Sequence, residues 1–244
     1  MRKSMSYAIS GILMMFGAAA GNVYAASSDI SLGTLPDKAT FDSFIDELGT
    51  AIAYNPVSPA EPLGVLGFEI GVAIATVKID TGIWDNVVAD GSAPSTLPVP
   101  RLMARKGLPM GFDIGLSRID VPGSNITVTG AELRKAILEG STVSPAVTVI
   151  AHTSKLNGVD AFDVSTYGID VGVSKGFAML TPYAGAGQVW IDGSDNSNTF
   201  SDRSSSVTRS YAGVRVGFLP FMNMVLQADF AEVNSYSLRL NVGF

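Results

Sequence analysis

His152 is the single histidine of the 244-residue chain, and Ser154 follows it two positions later. Residues two apart on a strand share a face, so an imidazole base and a hydroxyl nucleophile would project side by side. Asp160 or Asp163, shortly after, could orient the ring as a third member. A second, larger set is ionic. Glu69, Asp113, Glu132, Arg134, His152, Asp170, Arg209, Arg215, Asp229 and Arg239 each occupy the polar positions of a segment whose alternate residues are apolar. Five carboxylates and four guanidiniums gathered in one interior can pair, with the arginine fork meeting a carboxylate through two hydrogen bonds. Buried charges require such partners. The first set would hydrolyse an ester or amide; the second would neutralise and fill an interior. His152 and Ser154 fall on the same face as the ionic set, so the reading preferred here is a histidine bonded to a neighbouring strand.

Other chemistries lack their residues. The chain has no cysteine, hence no disulfide framework and no thiolate metal site. No His, Asp or Glu group has metal-ligand spacing. The aspartates between Asp192 and Asp202 lack the turn glycine and bidentate glutamate of a calcium loop. Gly185 and Gly187 lie in a strand pattern, without the strand-to-helix setting of a phosphate loop. No cofactor is therefore expected.

The elements that must position the ionic set are strands. Residues 235–244 read S-Y-S-L-R-L-N-V-G-F, with Tyr236, Leu238, Leu240, Val242 and Phe244 on one face and Ser237, Arg239, Asn241 and Gly243 on the other. The same alternation puts Leu66, Phe68, Ile70, Val72 and Ile74 opposite Glu69, Gly71, Ala73 and Ala75. It recurs around Met110 to Ser117, Ala131 to Ile137, Val143 to Leu156, Thr166 to Ser174, Arg209 to Phe218 and Met222 to Phe230. Val99 to Arg105 alternates poorly, and the facing of Thr181 to Ile191 is ambiguous. Mean hydropathy is +0.32, yet no run of eighteen apolar residues follows the N-terminal region. A chain this apolar without a helical span distributes its apolar residues by alternation, and in lipid only a closed barrel leaves no backbone edge unpaired.

The ending at Phe244 resembles the C-terminal strand of Gram-negative outer-membrane β-barrels, whose terminal Phe and alternating apolar residues act as the assembly signal. T-P-Y-A-G-A-G at 181–187 resembles the T-P-Y-x-G-x-G strand of small barrels related to OmpA and OmpX. The resemblance implies an all-β membrane protein over residues 63–244: a closed antiparallel transmembrane barrel of about ten strands. Eight is the alternative if the Val99 segment and one neighbour do not pair. Odd-numbered connections (81–97, 122–124, 157–160, 192–206) include both long loops, and the even-numbered ones are tight turns, so the long loops would face outward from the cell. Trp84 is expected in the interfacial aromatic girdle.

Ahead of the barrel, Arg2 and Lys3, an apolar stretch from Ile9 to Ala20 and Val23-Tyr24-Ala25 read as a signal peptide over 1–25. Arg2 and Lys3 leave with it, so the 16 basic residues become 14 against 22 acidic ones, a net of −8. That balance argues against nucleic acid. Residues 26–62 read as a periplasmic segment with a helix over 37–54, whose Phe41, Phe44, Ile45, Leu48 and Ile52 form one stripe. The preferred reading places this helix against the periplasmic rim, because the lumen of a small barrel is already filled by side chains, and the alternative is a plug that enters the lumen and closes it. The expected location is the outer membrane. The expected partners are outer-membrane lipid including lipopolysaccharide, the barrel-assembly machinery through the C-terminal strand, and whatever the long loops contact outside. The expected function is a structural or surface-binding barrel with a filled, charge-paired lumen, and the alternative is a narrow channel for small solutes. His152-Thr153-Ser154 also resembles the His-x-Ser of outer-membrane lipid A deacylases, but those enzymes act on lipid and would need the pair on the outer face.

Overall fold

The computed structural model describes residues 35–87, 93–121, 124–196 and 199–244. The leader, residues 26–34 and the Pro122-Gly123 turn lie outside the described residues. Ten strands close into one antiparallel barrel: β1 (Phe68–Lys78), β2 (Thr96–Leu108), β3 (Phe112–Asp120), β4 (Thr127–Glu139), β5 (Ala146–Asn157), β6 (Phe162–Ser174), β7 (Leu180–Asp195), β8 (Arg203–Leu219), β9 (Met222–Phe230) and β10 (Ser235–Gly243). Each strand pairs with its neighbours in sequence, and β10 returns to β1. The last closure is made at the terminus: Phe68 N–H donates to the Phe244 carbonyl at 2.8 Å, Phe244 N–H returns to Phe68 at 3.0 Å, and the two rings meet edge to face.

The weakly alternating Val99 segment is a full strand, β2, paired with β1 over residues 96–106. Its pattern is poor because its inner face mixes Val99 and Met103 with Arg101 and Arg105, while Pro98 and Pro100 interrupt the outer one. Neither face reads as uniformly apolar.

The barrel has two storeys of opposite polarity. In the storey nearer the tight turns, Ile70, Ile114, Leu116, Leu133, Ile169, Val171 and Leu226 point outward and are exposed, while charged and polar side chains point in. In the storey nearer the long connections, Thr153, Lys155, Asp163 and Thr208 point outward, and Val128, Leu156, Phe162, Val164, Val189 and Ile191 point in and are buried. The first is a wall for lipid; the second is arranged as in a protein surrounded by water. Among the described residues no helix is long and apolar enough to cross a membrane.

One helix, α1 (Lys38–Ile52), fills the second storey. Asp37 caps it, accepting from Thr40 N–H at 2.8 Å, and that bond holds the Asp37 carboxyl below its ordinary pKa. Phe41, Phe44 and Ile45 are fully buried. Phe41 stacks on Phe200, and Phe44 meets Phe162 and Trp84 edge to face. Asp46 accepts from Arg203 at 2.6 Å, and Glu47 accepts from Trp84 Nε1 at 2.8 Å and Asp80 N–H at 3.1 Å.

Two expectations are corrected here. The helix is not at the periplasmic rim: it lies inside the barrel, at the end carrying the long connections. Room for it exists because helix and wall are both trimmed where they touch. A Cβ on Gly49 would stand 2.3 Å from Ile191 Cγ2, and one on Gly193 would stand 2.5 Å from Ile45 Cγ2. Trp84 is likewise not in a girdle facing lipid, because its indole N–H is captured by Glu47 and its ring by Phe44; Trp190 faces outward instead, stacked on Tyr167 at 5.3 Å.

On the expected orientation, with the long connections outside the cell, exposed Pro36 is also outside. The chain has no native cysteine, so Pro36→Cys in intact cells is expected to react with a membrane-impermeant maleimide. Reaction only after permeabilisation would put the end carrying the long connections in the periplasm.

Candidate functional site

Below α1 the chain does not leave the barrel sideways. Residues 53–63, outside any helix or strand and turned at Val57 (φ 40°), run down the lumen and join β1 at its base through the bend at Gly64 (φ 74°). A segment with no strand beside it has main-chain carbonyls without partners, and burying them unpaired is costly. Wall arginines supply the donors. Arg101 reaches Ala53 O at 3.2 Å, Arg209 reaches Tyr54 O at 2.7 Å, and Arg239 reaches Val57 O at 3.3 Å. Arg134 donates to Ser58 Oγ at 2.5 Å and Pro59 O at 2.6 Å, and Arg105 donates to Ser58 Oγ at 3.2 Å. Near the base, Arg215 pairs with Glu61 at 2.5 Å, Ala60 N–H donates to Ser174, and Leu63 N–H donates to Asp113. Pro56, Pro59 and Pro62 have no N–H to satisfy, which suits a lumen whose side chains are rich in donors.

All ten ionic residues named from the sequence point inward. Glu69, Asp113, Glu132, Arg134, His152, Asp170, Arg209, Asp229 and Arg239 are buried, and Arg215 is part-exposed near the turns. They form groups rather than one network. Glu69 lies between Arg105 at 3.0 Å and Arg239 at 3.4 Å. Asp170 receives both arms of Arg209, with His152 Nε2 3.5 Å away and 3.1 Å from Arg209 Nη2. Asp229 accepts from Asn55, Gln227 and Ser235. The carboxylate beside His152 is thus Asp170, on the next strand, and not Asp160 or Asp163. Sequence reasoning missed Arg101 and Arg105. With them six arginines face the wall's five carboxylates, and Glu61 from the inner segment is a sixth. Pro98 and Pro100 hid them by spoiling the alternation around them.

Bulky inward side chains need space beside them, and the strand pairing provides it. His152 is directly opposite Gly168, Asp170 opposite Gly187, Glu132 opposite Gly115, and Asn241 opposite Gly71. Tyr183 and Tyr211 lie over Gly213 and Gly185. A Cβ on Gly187 would stand 2.0 Å from Asp170 Oδ1, and one on Gly185 would stand 2.3 Å from the Tyr211 ring. This settles the facing of the T-P-Y-A-G-A-G stretch: Thr181, Tyr183, Gly185 and Gly187 point in. The glycines are sockets for side chains of the neighbouring strand.

The outer face carries the other named set. Tyr236, Leu238 and Phe244 are exposed, and Leu240 and Val242 are half-buried on the same side. Closure, an even strand number and an apolar outer wall are the attributes of barrels that span a bacterial outer membrane, and they place this chain there.

No protein-family model matches the chain, and no curated protein matches it in sequence. Solved structures similar to it include outer-membrane proteins and barrel domains, at low identity. The beta domain of the Bordetella autotransporter BrkA is 10% identical (TM-score 0.45, covering 73% of this chain and 99% of that one). The N-terminal β-barrel domain of Pseudomonas aeruginosa OprF is 11% identical (TM-score 0.39, 74% and 99%). KdgM porin is 8% identical (TM-score 0.39, 72% and 99%). Likenesses this distant carry no argument about function, which rests on the lumen itself.

Two outcomes follow. Arg209→Met leaves the buried Asp170 carboxylate without its principal partner and is expected to cost ~3–5 kcal/mol, read as a lower urea midpoint for loss of the fast-migrating unboiled band. The double variant Arg209→Met/Asp170→Leu should recover most of it; no recovery would mean that the pair is not the coupled unit. Gly185→Ala forces a methyl onto Tyr211 and is expected to cost about 1–3 kcal/mol by the same assay, whereas outward Ala184→Val should be near neutral.

Proposed function

We propose that the protein is a plugged, non-conducting outer-membrane barrel that acts through the surface formed by its long connections. The observation that carries this reading is the inner segment. A segment outside any helix or strand occupies the lumen from Ala53 to Leu63, bonded to six arginines that come from four of the ten strands, β2, β4, β8 and β10. What free space is left beside Asn55 and Asp229 is a cavity of about 40 Å³, the scale of a water molecule. The six guanidiniums are directed at main-chain carbonyls and carboxylates, so the charged lining reads as an anchor for the plug. Ion selection would instead call for groups that face open water.

His152 fits the same scheme as a packing residue. It stacks on Tyr54 of the inner segment and faces Asp170 and Arg209, away from the lipid that a deacylase substrate would occupy. The outward row Tyr236, Leu238, Leu240, Val242 and Phe244 is proposed as the stretch read by the assembly machinery, supported by its exposure on the closing strand. Outer-membrane lipid, lipopolysaccharide included, is the proposed neighbour of the apolar outward wall that carries Ile70, Leu116, Ile169 and Val171.

The reading is tested in planar bilayers. The full-length protein is expected to give no unitary conductance, while a variant lacking residues 38–62 that still shows the mobility shift should give stable steps. Steady conductance from the intact protein would overturn the plugged reading in favour of a narrow channel.

A further inference from the structure

Beside α1 the barrel wall is incomplete. β2 pairs with β1 over residues 96–106, but with β3 only from Leu102 onward. Residues 96–99 therefore run past the end of β3, and Pro100 and Arg101, opposite Asp120 and Ile119 by continuation of the register, have no ladder to them; Ile119 and Asp120 pair on their other side with Val128 and Thr127 of β4. Pro98 and Pro100 fall in this unpaired stretch. Neither has an N–H, a composition suited to a strand edge and unsuited to a closed wall. The seam lies immediately above the exposed, outward Leu102.

Behind the seam is a cavity of about 210 Å³, bounded by Leu48 of α1, Trp84, Val99, Ile119, Ile126 and Leu156 among others, every one of its lining side chains being apolar. None of the buried polar side-chain atoms that lack a hydrogen-bond partner belongs to it. Water is poorly held in such a space, because a buried water needs two to four polar partners. Collapse is also resisted: the wall is tied by its ladders, and the helix is pinned by Glu47 to Trp84 and by Asp46 to Arg203. An apolar cavity of roughly 150 Å³ is already large enough to stay dry and bind benzene.

We propose that this cavity is a binding site for a small, uncharged, apolar molecule of about the size of a substituted benzene, admitted through the unpaired seam between β2 and β3. Charge is excluded by the lining, which offers no counter-ion. The ion pair at the mouth, Arg118 with Asp120 at 2.7 Å, lies on the exposed face and is already neutralised. The site is separate from the charged lumen, so it stands whether or not the barrel conducts.

Trp84 lines the cavity, and the chain's other tryptophan, Trp190, is on the outer face of β7. Trp190→Phe leaves Trp84 as the sole emitter. The folded full-length variant in lipid nanodiscs is titrated with bromobenzene, a quencher of the proposed size. The expected result is saturable quenching to a single plateau, weakened at least tenfold by Ala51→Phe, whose ring takes the space. Quenching that rises linearly and equally in both proteins reports partition into lipid and overturns the proposal. Should Ala51→Phe lose the mobility shift, Val99→Phe fills the cavity from the wall, and saturation that survives in a folded filled variant equally overturns it. For the doorway, Pro100→Cys and Asp120→Cys, adjacent across the seam by extrapolated register, are joined by oxidation in the Trp190→Phe background. Slower onset of quenching, reversed by reductant, is expected; an unchanged rate would remove the seam as the entry.

Discussion

The lone segment inside the barrel imposes the constraint on which the rest of the lumen depends. A helix satisfies its own backbone and a strand is satisfied by its neighbours, but residues 53–63 have neither. Their carbonyls must be met from the wall, and only side chains long enough and rich enough in donors can do so. Arginine provides five N–H groups on a rigid fork. That requirement accounts for Arg101, Arg105, Arg134, Arg209 and Arg239 pointing at one thread from several directions. It accounts for the prolines too, since each removes a donor that this donor-rich interior could not have satisfied.

Once five guanidiniums are buried and a sixth, Arg215, is half-buried, the remainder of the lumen follows from them. They require carboxylates, which Glu69, Asp113 and Asp170 provide on the wall and Glu61 provides on the thread. Long side chains crowd a narrow barrel, so several of the large inward groups lie over a glycine on the adjacent strand. The pairs His152 with Gly168, Asp170 with Gly187, and Tyr211 with Gly185 are three instances of one steric solution. Glycine in a strand interior normally weakens it; here the neighbour's side chain fills the place of the missing Cβ.

Solvent reverses this logic along the length of a single strand. In β6 the inward residues are Phe162 and Val164 near the long connections and Asp170 and Ser174 nearer the turns, while the outward ones pass from Asp163 and Ser165 to Tyr167, Ile169, Val171 and Val173. Where the surroundings are water, the strand hides apolar groups and α1 gives them a core. Where the surroundings are lipid, it hides polar groups and the thread gives them partners. One continuous insertion, helix then thread, serves both storeys because its own polarity changes at Ile52.

By itself the sequence determined the barrel and its faces: period-two alternation assigns sides to every regular strand, and loop lengths of alternating size assign the two ends. It also determined which charges point inward, because those positions follow from the same alternation wherever it is regular. It failed at Arg101 and Arg105, where prolines broke the pattern, and at Thr181 to Ile191, where small residues on both faces leave alternation without contrast. Only the tertiary structure decided where the helix sits. An amphipathic stripe at Phe41, Phe44, Ile45, Leu48 and Ile52 states that a partner exists but not which one, and its partners come from strands scattered between Val77 and Val233. The path of residues 53–63 was decided in the same way. Its hydrogen bonds join positions up to 183 residues apart, and local spacing cannot encode a contact at that range.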